Sequence, residues 1–193
     1  MSDEAALTRV VDGRPVPAPG RWEIDPGFTR VAFVVRRLLT RMRGDFADVE
    51  GTVVIAEDPT GSSATITIPA ATVRTGHPGT DEAAREMLGV EDFPTITFTS
   101  TAVAPGEADL WTITGDLTIR GVTRPVDLAT RFVGAAEHPF GGMRKATFEA
   151  TATVDRRDFG VDQYQVPAPG TAGAVVVGNA ISITLDVEVD LGD

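Results

Sequence analysis

Residues able to do chemistry are few in this 193-residue chain, and they are poorly grouped. Its two histidines, His77 and His138, each stand beside a proline and far from each other, outside any ligand-spaced cluster, so they read as solvent-facing loop residues rather than metal ligands. Absence of cysteine rules out disulfides, thiolate metal sites and a Cys nucleophile. No phosphate-cradling Gly-rich loop opens a helix, and no Gly-x-Ser-x-Gly elbow presents a serine. Carboxylates are plentiful. Asp155-Arg-Arg-Asp158 reads as charged partners satisfying one another at a strand end. Asp186, Glu188 and Asp190 suggest calcium, but outward positions two apart on a strand lie nearly 7 Å from one another, too far to share one ion held at ~2.4 Å. Their expected role is to keep an outer face wet. No catalytic constellation emerges, and no cofactor or metal is expected.

The elements that would position any site are strands. Ile181, Ile183, Leu185, Val187, Val189 and Leu191 alternate with Ser182, Thr184, Asp186, Glu188 and Asp190, the period of a strand with one buried and one wet face. The same alternation runs through Ala146–Val154, Thr95–Thr99, Ala64–Ile68 and Trp111–Ile119, with noisier segments at 30–36 and 49–57 and a further strand from Pro125 to about Val133. Turn residues at 58–61, 104–106 and 138–142 separate them, giving roughly eight antiparallel strands. Long strands with one apolar face form either a sandwich or a closed barrel, and alternation alone does not choose.

One segment breaks the pattern. Thr80 to Leu88 predicts a short helix capped by Thr80 and ended by Gly89, lying across an opening. Residues 1–20 end in alternating prolines, which predicts a disordered, extended arm ahead of one barrel domain over 21–193. The Gly-, Pro- and Ala-rich stretch between Arg156 and Ile181 predicts a lid or a solvated connection.

A formal charge of −11 disfavours nucleic acid and electrostatic adhesion to anionic membranes. The start carries Asp3 and Glu4 with no signal-like apolar run, and no stretch approaches a membrane span, so a soluble cytoplasmic protein without membrane insertion is expected.

What remains is the apolar face. An eight-stranded barrel is wide enough either to be filled by its own side chains or to hold one small ligand. About ten buried methylenes offer ~8 kcal/mol before entropic losses, or about micromolar affinity, which favours long chains. The inward positions expected to line such an interior are Phe33, Val35, Ile66, Ile68, Phe98, Ile113, Phe148, Val154, Ile183 and Leu185.

Several runs carry a family resemblance. Arg21-Trp-Glu-Ile-Asp-Pro26 with Arg30–Val35, then Arg43–Phe46, Phe93–Thr101, Gly115–Val126 and Asp155–Gly160, together resemble the YceI-like family of lipid- or polyisoprenoid-binding, lipocalin-like proteins. The run at 115–126 is the most specific. The resemblance implies an all-β fold: an eight-stranded antiparallel lipocalin-like barrel with a helical cap, in many members a homodimer, enclosing a tunnel for an isoprenoid chain. It departs in two places. Arg36 and Arg37 stand where the family usually has a histidine, and Gly79–Ala84 replaces an Arg-Asp-x-His-Leu run. The expected function is non-catalytic binding or transport of a long apolar lipid, isoprenoid or quinone-like. A filled-core structural or interaction module is the second reading. A small barrel enzyme is the third, and it needs an inward carboxylate.

Overall fold

A computed structural model describes residues 7–37, 40–139, 141–163 and 177–192. Its centre is a closed antiparallel barrel of eight staves. The first three staves are each bent or broken into two strands: β3 (Gly20–Ile24) with β4 (Arg30–Arg37), β5 (Thr40–Phe46) with β6 (Glu50–Ile55), and β7 (Ser63–Pro69) with β8 (Val73–Arg74). The remaining five are β9 (Thr95–Pro105), β10 (Trp111–Ile119), β11 (Val122–Glu137), β12 (Arg144–Asp155) and β13 (Val177–Leu191). Each stave pairs with its neighbours in the chain, and the last closes on the first. Closure removes the free sheet edges that so much alternating strand would otherwise expose.

The bend in the first stave is built by residue chemistry. Asp25–Thr29 forms a tight turn, and the buried Thr29 hydroxyl lies 3.1 Å from both the carbonyl oxygen and the amide nitrogen of Glu188. That side chain replaces ladder bonds at the point where β3 gives way to β4 along β13. Farther round, β11 bulges between Phe132 and Gly134, so its inward set moves from Leu128, Thr130 and Phe132 to Ala135 and leaves Val133 outside. Neither bulge nor bend appears in the alternation, which is why those segments read as noisy or short.

The helix α1 (Pro78–Leu88) fills the connection from β8 to β9. It starts earlier than expected, with His77 at the N-cap and Pro78 in the first turn, because proline is already set at a helical φ and has no amide hydrogen to orphan there. Thr80 is therefore inside the helix. Gly89 ends it in the left-handed region, φ 63°, as expected. Arg85 Nε donates to Ala71 O at 2.8 Å and ties the helix to the wall.

Within 1–20, expected to be an extended arm, the described residues run from Leu7 onward. β1 (Thr8–Val11) and β2 (Arg14–Pro17) form a hairpin, closed by Asp12 at φ 50° and Gly13 at φ 78°. Both turn residues have positive φ, the requirement of a type I′ turn, and Asp-Gly is a sequence signal for it. Pro15 and Pro17 face Val10 and Thr8, alternate positions from the turn at which no amide hydrogen is needed for the ladder, so the prolines are compatible with pairing. Residues 1–6 lie outside the described residues, as does most of the stretch between Arg156 and Ile181.

Candidate functional site

The inward positions of the eight staves enclose two cavities. The upper, of about 170 Å³, lies at the α1 end. Its walls come from β4, β5, β7 to β13 and the helix, which contributes Ala84, Met87 and Leu88 as a roof. The lower, of about 100 Å³, lies at the opposite end, where Val16 and Pro17 of β2 join Ile55, Trp111, Phe132 and their neighbours. Ile66, Phe98, Leu128 and Leu185 belong to both linings and form the collar between them.

All ten residues chosen from the sequence lie on these walls. Phe33, Val35, Ile68, Val154 and Ile183 line the upper cavity, Ile113 and Phe148 the lower, and Ile66, Phe98 and Leu185 the collar. Sequence reasoning missed the helical roof residues and the hairpin residues. For α1 the signal was a register of Ala84, Met87 and Leu88 on one helical face. For β2 it was Asp12-Gly13 between two short runs.

Two aromatics reach the interior by lying over glycines. Phe33 sits directly across from Gly44, and a Cβ there would come within 2.4 Å of its Cζ. Phe98 covers Gly115 in the same way, with a Cβ again 2.4 Å from its Cζ. The glycines permit the rings to lie flat on the neighbouring strand and shape the wall.

Polar groups on these walls are scarce. In the upper cavity Thr97 and Arg156 are the non-hydrophobic lining residues, and in the lower Ser62, Ser63 and Thr130. Among the described residues, no Asp or Glu lines either. Arg156, only 3% exposed, is engaged by backbone: Nε donates to Gly178 O, Nη1 to Val161 O and Gln163 O, and Nη2 to Val177 O. Burial pushes its pKa down, with the nearby Asp155 charge opposing that. The guanidinium is a staple between the end of β12 and the start of β13. Asp155 pairs instead with Arg157 at Nε, 2.9 Å, and its hydrogen bonds hold its pKa down at about 2. Arg36 and Arg37 are exposed at the end of β4, outside both cavities. Among the described residues no group of three or more His, Asp or Glu is placed to hold a metal ion.

The acidic row has a partner that sequence reasoning passed over. Lys145 Nζ lies 2.8 Å from Asp25 Oδ2, 2.9 Å from Glu188 Oε1 and 2.8 Å from Asp190 Oδ1, on the outer wall where β12, β13 and the β3–β4 bend meet. Phe28 covers it from 5.5 Å. Burial lowers its pKa, but the hydrogen bonds to Asp190, Asp25 and Glu188 outweigh that and hold it well above an ordinary lysine.

A model of the YceI-like domain matches residues 22–189. The UPF0312 protein of Ectopseudomonas mendocina is 38% identical over 139 residues, 69% of this chain and 71% of that protein. Protein YceI of Salmonella arizonae is 40% identical over 128 residues, 65% of this chain and 66% of its own length, so the chain spans just under two thirds of that relative. Among solved structures, Burkholderia cenocepacia BcnA superposes with a TM-score of 0.72 at 20% identity, covering 86% of this chain and 98% of that one. A polyisoprenoid binding domain from Saccharophagus degradans, implicated in plant cell wall breakdown, gives 0.66 at 14% identity, covering 91% and 100%. These two likenesses are of fold.

Proposed function

This chain belongs to the YceI-like family, and from that premise we propose that its barrel binds a long apolar lipid, isoprenoid or quinone-like, along its axis. One observation carries the reading: two almost wholly apolar cavities of about 170 and 100 Å³ share a collar inside one closed wall. Unfilled space of that size forfeits dispersion contacts along its lining, and it is not a place for water without polar partners. A chain threaded through the collar would restore those contacts at roughly 0.8 kcal/mol per buried methylene. The polyisoprenoid binding named for the Saccharophagus degradans domain supports the same ligand class.

The binding is non-catalytic in this reading. Among the described residues neither cavity wall offers a carboxylate or a histidine, and Arg156 is occupied by backbone carbonyls. The ten inward residues would contact the chain, and transport would be its release elsewhere.

Organic extraction of the purified protein followed by mass spectrometry tests this. Co-purifying lipid, or a rise in Tm on adding polyprenol, is the expected result. Repeated preparations that contain no lipid and do not respond to polyprenol or ubiquinone would leave a barrel whose spaces are packing defects.

A further inference from the structure

We propose that the β1–β2 hairpin is the floor of the lower cavity and sets the longest apolar chain the barrel accepts, an inference that rests on the lipid-binding reading above. Val16 and Pro17 are part of the lower cavity's wall, and Leu7 and Val16 are each only 3% exposed. The opposite side of the hairpin meets solvent, Val10 being 70% exposed. An apolar chain that passes the collar and runs down the axis therefore meets this hairpin before it meets water.

The attachment differs in kind from the rest of the wall. β1 and β2 form a two-stranded sheet of their own, separate from the barrel's hydrogen-bonded ring. A lone hairpin of that size is marginal in water, so its order comes from docking. Beside the burial of Leu7 and Val16, two cations tie it to the barrel's lower rim. Arg9 donates to Ala56 O and Glu57 O, each at 2.6 Å, and Arg14 donates to Gly106 O at 3.1 Å with its guanidinium 5.9 Å from the Trp111 ring centre. Among the described residues, Arg14 Nε and Trp111 Nε1 are buried at this seam without a hydrogen-bond partner. The floor can thus be loosened or raised without breaking a single ladder bond of the barrel. The family match begins at Trp22, after the hairpin, so this floor precedes the shared barrel.

The test is a length series of all-trans polyprenols offered to the full chain, with bound homologues counted by native mass spectrometry and affinities taken from tryptophan quenching. Wild type should retain homologues up to a limit. Arg9→Ala with Arg14→Ala should move that limit to longer chains, the first homologue rejected by wild type binding about tenfold tighter. Val16→Phe should move it to shorter chains, while homologues short enough to occupy the upper cavity keep their affinity in every variant. An unchanged limit in variants whose circular dichroism matches wild type overturns the proposal. If the clamp variant does not fold, Val16→Ala against Val16→Phe decides it by the same criterion. Wild type retaining no homologue at all is a different result, since it removes the lipid reading itself and the floor with it.

Discussion

At the scale of single residues, the strongest electrostatic feature lies outside the barrel. Lys145 is the chain's one lysine, and three carboxylates converge on it. Alternation made Glu188 and Asp190 legible as outward, but Asp25 is 120 residues away from the lysine and joins only through closure of the barrel. Lys145→Met should cost about 1–3 kcal/mol, because it leaves three like charges facing one another in a partly exposed site. The pH dependence has two arms. The hydrogen bond from Lys145 holds the Asp25 carboxyl below its usual 3.8, so its contribution is present above that value and lost as pH falls through the acid range. Lys145 is held above 10.5, so its contribution is full below that pH and lost only as strong alkali removes the proton. Urea melts across pH should show both arms in wild type and lose both in Lys145→Met, since the lysine is also what holds the Asp25 carboxyl down. Gly115 is a second single-residue dependence. Gly115→Ala would bring a Cβ within 2.4 Å of Phe98 Cζ and 2.7 Å of Thr99 O, and should destabilise by about 1–3 kcal/mol. Combining it with Phe98→Leu should recover part of the loss in a double-mutant cycle, since the ring is the clash that can move.

Elements explain which parts of the fold were readable. β12 and β13 pair without a break over Lys145–Asp155 and Ala180–Asp190, and their period of two placed Phe148, Val154, Ile183 and Leu185 inward correctly. β11 was half readable, because the bulge after Phe132 reverses its faces and a periodicity argument ends where the period shifts. The N-terminal hairpin was readable at Asp12-Gly13, but its prolines were weighed as signs of an arm. What they permit depends on which positions of a ladder they occupy, and that needs the register. Asp155-Arg-Arg-Asp158 was read as mutual pairing at a strand end, which holds for Asp155 with Arg157. Arg156 turned inward to backbone carbonyls that no local pattern announces. Its guanidinium makes the joint between β12 and β13, so Arg156→Ala should destabilise by about 2–4 kcal/mol through carbonyls left without donors. Arg156→Lys should rescue little, since a compact ammonium cannot reach carbonyls spread around a planar fork. Equilibrium denaturation of the two variants measures this directly.

For the whole molecule, the closed ring encloses apolar cavities, so the stability of the wall and the proposed uptake of a chain depend on the same side chains. Alternation left sandwich and barrel equal, and family resemblance pointed to a barrel. The pairing of β13 with both β12 and the β3–β4 stave is what closes it. Whether the interior is a packed core or a binding space is tested at the collar. In a tightly filled barrel, Phe98→Ala removes a ring from contact on every side and costs about 3–5 kcal/mol. Phe98 instead borders a cavity above and below, so part of its surface makes no contact with other side chains, and the expected cost is about 2 kcal/mol. The same geometry predicts opposite signs for stability and uptake. Phe98→Ala should lower the Tm of lipid-free protein yet widen the passage between the cavities, so that added polyprenol raises Tm by at least as much as in wild type. A ligand at 100 times its Kd contributes about 2.7 kcal/mol to the folded state, a rise large enough to be seen above the loss. A variant that is both fully destabilised, by ~4 kcal/mol, and unresponsive to polyprenol would mean that the collar is ordinary core.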